Sequence, residues 1–159
     1  MRLPCEREEF IRFLVHAKRQ TYASQGDDAM VAPLLPGTRQ LEYRDRAFFY
    51  RDVYVGTAAF VGQEIVYYQD QPIWSMSYAG GLAGHLDAAQ ALRPISAFLR
   101  TALRQVSEQY PYRGPHHVEE APCRYTHQHH GSFEAFWGVE RITQHDEEVY
   151  TLHYSGCLL

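Results

Sequence analysis

Two glutamates stand where strand alternation calls for apolar side chains. Glu64 shares its parity with Phe60, Gly62 and Val66, and Glu140 shares its parity with Phe136, Gly138 and Ile142. A carboxylate on an apolar sheet face is costly unless it is paired or hydrogen-bonded. Its partner could be an arginine such as Arg113, backbone N–H groups at a bulge, or a cation or hydroxyl of a ligand. Without a partner its pKa must rise until it is neutral. The same oddity at two matching places makes Glu64 and Glu140 the leading site residues.

Histidines offer a different chemistry. Seven of the nine follow residue 115, and "HQHH" places His127 and His129 on one strand face. Two imidazoles two residues apart on a strand can converge on one ion, and Glu134 could complete the set. The pattern echoes the first metal motif of the cupins. However, the flanking glycines are misplaced, the second motif is absent, and two helical segments do not suit a jelly roll. The expectation is therefore no bound metal and no cofactor, with a polar strand end at a solvent-facing corner. His127, His129 and Glu134 are kept as the set a small metal-dependent enzyme would use.

Tyrosines form the third group. In "YRDVY", Tyr50, Asp52 and Tyr54 share one face; further on, Trp74, Met76 and Tyr78 share another. Tyr150 and Tyr154 repeat the theme near the end. Rings with hydroxyl tips suit a cavity that is apolar in body and selective at a few points. They also suit a sheet face covered by helices, with the hydroxyls reaching water. Covalent catalysis has little support: Cys5, Cys123 and Cys157 form no CxxC, and no GxSxG, Walker or dinucleotide fingerprint occurs.

Bulk composition sets the frame. The 159 residues are 45% hydrophobic and 21% charged, which is ordinary for a globular chain. The net charge of −4 argues against a direct grip on nucleic acid, which needs a basic face. There is no apolar leader and no run long enough to cross a membrane. An odd cysteine count without pairs fits a reducing compartment, so a cytoplasmic location is expected.

Elements follow from periodicity. Glu6–Ser24 carries Phe10, Phe13, Leu14 and Ala17 at helical spacing, and Ile95–Val106 carries a second apolar stripe after an N-cap at Asp87 and an interruption at Pro94. "GDDAMVAPLLPGT" reads as a loop. Strand texture covers Leu41–Val55 (with a break near Asp45), Ala59–Tyr68, Ile73–Ala79, Arg124–His130, Phe133–Thr143 and Val149–Ser155. Phe60–Leu82 aligns on Phe136–Leu158 without a gap. Identities fall at Phe60/Phe136, Gly62/Gly138, Glu64/Glu140, Asp70/Asp146, Tyr78/Tyr154, Gly80/Gly156 and Leu82/Leu158. The predicted fold is α+β: one domain over residues 1–159, built from two αβββ repeats (6–82 and 87–159). These form a curved or barrel-like antiparallel sheet with helices packed on one face.

The segments "FLVHAKRQTYAS", "YRDVYVGTAAFVGQEIV", "PIWSMSYAGG" and "PYRGP" resemble an uncharacterised family of bacterial domains, found alone or behind an Xre-type helix-turn-helix. The resemblance covers most of the chain and implies a sensory or partner-binding role, without assigning catalytic residues. The leading expectation is a domain that binds a small-molecule ligand. Its site would draw on Glu64, Glu140, Tyr50, Asp52, Tyr54, Trp74, Tyr78, Tyr150, Tyr154 and Arg113. The alternatives are the metal-dependent enzyme and a protein-interaction module, the latter with a second copy of the chain as partner in a homodimer.

Overall fold

The computed structural model describes residues 3–22 and 30–159. Its elements run α1 (Arg7–Gln20), β1 (Met30–Val31), β2 (Arg39–Asp45), β3 (Phe48–Gly56), β4 (Ala59–Tyr68), β5 (Gln71–Leu82), α2 (Ala88–Leu103), β6 (His117–Glu120), β7 (Cys123–Ser132), β8 (Ala135–Gln144) and β9 (Glu147–Leu158). All nine strands join one antiparallel sheet in the order β1-β2-β3-β4-β5-β9-β8-β7-β6. The α+β class with an antiparallel sheet is therefore as read from the sequence. The barrel-like closure is not: β1 and β6 lie at opposite edges and no ladder joins them.

Each half hangs on its own meander, and the halves meet where β5 pairs with β9. Tyr78 stands directly opposite Tyr154 in that central ladder. The flanking hairpins share irregularities. Both turn through two residues of positive φ, Gln69–Asp70 and His145–Asp146. Both carry a register shift, at Val66/Tyr67 and at Ile142/Thr143.

Alternation separates the two faces. β5 buries Trp74, Met76 and Tyr78, and β9 buries Tyr150, Leu152 and Tyr154. The other face leaves Val55, Val61 and Trp137 exposed. Both helices cover the buried face. From α1, Phe13 stacks on Phe48 at 4.8 Å between ring centroids, and Phe10 meets Trp74 and Phe133. From α2, Ile95, Phe98, Leu99, Ala102 and Leu103 are buried at helical spacing. Glu8 and Glu9 in the first turn of α1, and Lys18 and Arg19 in its last, suit the helix dipole. Asp87 caps α2 by accepting from the Ala89 N–H at 2.9 Å.

Several boundaries differ from the sequence reading. The helix expected to reach Ser24 is described only to Gln20, and Ser24 lies outside the described residues. Pro94 does not interrupt α2; the cap before it and the buried stripe after it hold one helix across the missing N–H. The break expected near Asp45 is the turn between β2 and β3, in which Arg46 takes positive φ. β5 runs on through Gly80 and Gly81, whose pairing with Leu152 and Thr151 outweighs their flexibility. The short edge strands β1 and β6 carry too few residues for a periodic signal.

Gly62 and Gly138 lie under the rings of Tyr78 and Tyr154, and a Cβ at either would collide with the phenol. Gly138→Ala is expected to lower the free energy of unfolding by about 1–3 kcal/mol through overpacking. Urea unfolding at an unchanged slope checks this, and a neutral substitution would remove the close packing argued here.

Candidate functional site

Five ionisable groups meet beneath the helices. Glu64, on β4, is 3% exposed and takes a hydrogen bond from the Lys18 ammonium of α1. Lys18 also donates to the Tyr112 carbonyl at 2.8 Å. Glu140, on β8, is fully buried. It accepts from Arg113 Nε at 3.1 Å and Nη2 at 2.6 Å, from Tyr125 Oη at 2.8 Å and from Tyr150 Oη at 2.9 Å. Arg113 lies on the segment between α2 and β6, and its Nη1 also comes within 3.9 Å of Glu64. Asp52, on β3, is the third acid. It pairs across the ladder with Glu64 and is 2% exposed.

Physical causes set the protonation states. Burial alone would raise the Glu140 carboxyl, but the Arg113 charge and hydrogen bonds from Arg113 and the two tyrosines hold it below the usual range. Burial pulls the Lys18 ammonium down against the opposing pull of Glu64. Burial, with the Glu64 charge opposite, raises Asp52 to about 7, despite a hydrogen bond from Tyr78. Three acids therefore face two cations, so the ionised cluster carries one excess negative charge, and Asp52 is the acid whose surroundings raise it.

Beside this cluster a cavity of about 450 Å³ opens between α2 and the first half of the sheet. Asp52, Tyr54, Phe60, Tyr78 and Tyr150 form its floor. Leu92, Ile95, Ser96 and Leu99 of α2 form the opposite wall, and Tyr22 and Arg113 also line it. Tyr78 Oη donates to Asp52 Oδ1 at 2.6 Å. Asp52 Oδ2 has no hydrogen bond among the described residues, and it is not shut away from the cavity.

At the positions opposite Glu140 and Gly138, the second half carries other side chains. His127 faces Glu140 in the ladder as Asp52 faces Glu64, and His129 faces Gly138 as Tyr54 faces Gly62. His127 Nδ1 lies 2.8 Å from the Gly114 carbonyl, which can only accept, so Nδ1 carries the proton. Tyr154 Oη then donates to His127 Nε2 at 2.6 Å and accepts from His129 Nδ1 at 3.1 Å. Burial lowers His127 to about 4, against the pull of Glu140, so it stays neutral near pH 7. Tyr112 stacks on His129 at 3.9 Å and fills this side.

The sequence-derived residues thus divide. Asp52, Tyr54, Tyr78, Tyr150 and Arg113 line the cavity. Glu64 and Glu140 point to the interior face, as alternation requires, but neither lines the cavity. Glu64 borders a void of about 20 Å³ beside Lys18. Tyr50 is sealed in the core, Trp74 is packed against Phe10 and Phe136, and Tyr154 serves the two histidines. The His127, His129, Glu134 set does not converge: Glu134 sits in the β7–β8 turn with Ser132 and Arg7, and His127 is buried rather than at a wet corner. Among the described residues, no group of three or more His, Cys, Asp and Glu is placed to hold a metal ion. Nor is any helix among them long and apolar enough to cross a membrane. Lys18, Tyr22 and the α2 wall went unread, because helical spacing marked those segments only as core-covering.

A family model described as a domain of unknown function (DUF5680) matches residues 52–159. The chain belongs to that family. No curated protein and no solved structure matches it. The DUF5680 match begins at Asp52, so it takes in the cavity floor, α2, Arg113 and Glu140. Lys18, Tyr22 and Arg39 precede it.

Two outcomes follow for this DUF5680 protein. Lys18→Met leaves Glu64 buried without its close cation and is expected to cost about 3–5 kcal/mol. Lys18→Met/Glu64→Gln should restore most of that loss in chemical unfolding, and failure to do so would show that Lys18 acts through packing. For Asp52 the folded pKa lies above the unfolded one, so its stabilisation is complete below the ordinary aspartate range and is lost as pH rises. The stability difference between wild type and Asp52→Asn should fall from about pH 4 to about pH 7 and then level off. A pH-independent difference in thermal unfolding would contradict the raised pKa.

Proposed function

We propose that this chain is a small-molecule-binding domain whose ligand occupies the cavity between α2 and the first half of the sheet. The observation that carries the reading is the second oxygen of Asp52, which opens onto a roomy cavity and has no hydrogen-bond partner among the described residues. A carboxylate oxygen exposed to such a space is a ready acceptor for a ligand donor. The walls fit the role: aromatic and aliphatic side chains supply the body, with a few polar groups converging on it. Tyr54, Tyr78, Tyr150 and Arg113 are the contacts assigned to the ligand. Glu64, Glu140, Tyr50, Trp74 and Tyr154 support them from behind.

We infer in the same way that the two halves descend from one duplicated unit. The ungapped alignment, the paired bulges and the paired positive-φ turns support it. On that reading the second copy has given up its cavity, since its histidines and Tyr112 close on Tyr154 where the first copy keeps open space.

A thermal-shift screen against a chemically mixed fragment library tests the binding role. Compounds that raise the melting temperature of the wild type should lose their effect in Ser96→Trp, which fills the cavity from the α2 wall. No stabilising compound, or stabilisation that survives Ser96→Trp, would overturn the proposal.

A further inference from the structure

The arginines around the cavity go beyond a general binding role. Among the described residues that line it, Arg39, Arg93, Arg100 and Arg113 are cations, and Asp52 is the one acid. Arg113 is spoken for by Glu140. Among the described residues, Arg93 and Arg100 have no ion pair or hydrogen bond, and Arg39 has only the Tyr54 ring, 6.0 Å from its guanidinium. Arg39 and Arg93 are exposed and Arg100 is half-buried, which puts them at the mouth, with Asp52 at the floor. The chain as a whole carries a net charge of −4, so this positive mouth is local.

Surface arginines usually find a carboxylate or lie along apolar surface in water. Here three line one concavity, and none of them has a carboxylate partner among the described residues. A guanidinium offers a planar fork of donors that matches the two oxygens of a carboxylate or phosphate. Low-dielectric walls such as Phe60, Tyr54, Leu92 and Leu99 strengthen that attraction. The same walls leave room for a flat apolar body between the mouth and the floor.

Resting on the binding role above, we propose that the ligand is an organic oxyanion with a flat, largely apolar body. Its carboxylate or phosphate is held by Arg93 and Arg100, with Arg39 beside them, and a hydroxyl or N–H at its far end donates to Asp52. This separates the two polar ends of the site by function. The mouth selects charge, and the floor selects a donor.

Matched compounds test it. On one scaffold, 6-hydroxy-2-naphthoate, the corresponding naphthyl phosphate, the neutral 6-hydroxy-2-naphthamide and the cationic aminomethyl compound are titrated calorimetrically at low salt. One of the two anions should bind about ten-fold or more tighter than the amide, and which one distinguishes carboxylate from phosphate. In Arg93→Gln/Arg100→Gln the preference should shrink to about two-fold or less, with the amide unaffected. Equal binding of anion and amide, or a preference for the cation, would overturn the oxyanion assignment. The cavity reading would survive that result, provided Ser96→Trp still abolished binding. If none of the four binds while other library compounds stabilise the protein through the cavity, the flat-anion assignment also falls. Should nothing bind in either experiment, both readings fail together.

Discussion

The structure depends on neutralising three acids placed under the helices of one sheet face. Asp52, Glu64 and Glu140 come from three strands, and their countercharges come from elsewhere: Lys18 from α1 and Arg113 from the segment after α2. Arg113 binds Glu140 of the second half through two bonds and reaches toward Glu64 of the first. One guanidinium therefore ties the halves together away from the β5–β9 ladder. Such buried pairs are weak contributors to net stability, because desolvation consumes most of the Coulombic gain. What they supply is position. A displaced α1 would leave Glu64 charged and unpaired, and that penalty fixes the helix register against the sheet more sharply than the apolar contacts of Phe10 and Phe13 could alone.

Cavity and cluster have a common origin. The groups beside Glu140 are tightly engaged, and the Tyr125 and Tyr150 hydroxyls consume its remaining lone pairs. Around Asp52 the supply of donors runs out after Tyr78. The lining there is small where it matters: Gly56, Ala58, Ala88, Ala89 and Ser96 leave volume unfilled. An under-satisfied carboxylate and an under-filled space thus coincide, which is why the cavity and not the better-paired glutamates marks the site.

Much of this was legible from alternation alone. Parity placed Glu64 and Glu140 inside, and Arg113 was among the partners open to such a carboxylate. The hairpin turns at Asp70 and Asp146 were readable from their matched positions. Lys18 was not, since a lysine in the last turn of an amphipathic helix looks like a solvated residue favoured by the dipole; only the tertiary approach of α1 to β4 buries it. Arg93 and Arg100 were hidden in the same way. Asp52 was named as one tyrosine-flanked residue among several, because period-two patterning fixes a face but cannot say which part of that face a helix leaves uncovered. Trp74 and Tyr50 carried the same aromatic signal as Tyr54 and Tyr78, yet lie under α1 in the closed part of the core.

The family match adds a last constraint. It begins at Asp52 and so contains all three of the buried acids among the described residues but only one of the two buried Lys and Arg side chains. With Arg113 alone, two protons would be needed to neutralise the cluster; with Lys18 in place, one suffices, and Asp52 is the group whose surroundings raise it. α1 is therefore part of the electrostatic unit even though it lies outside the matched residues. Its contribution reaches the cavity by two routes: Lys18 supplies charge behind the floor, and Tyr22 just past the helix lines the space beside Arg113. A ligand donor at Asp52 and the ammonium of Lys18 thus act on the same excess of negative charge, one from the cavity and one from the core. Binding and helix docking should accordingly strengthen each other, because each lowers the cost of keeping the carboxylates buried.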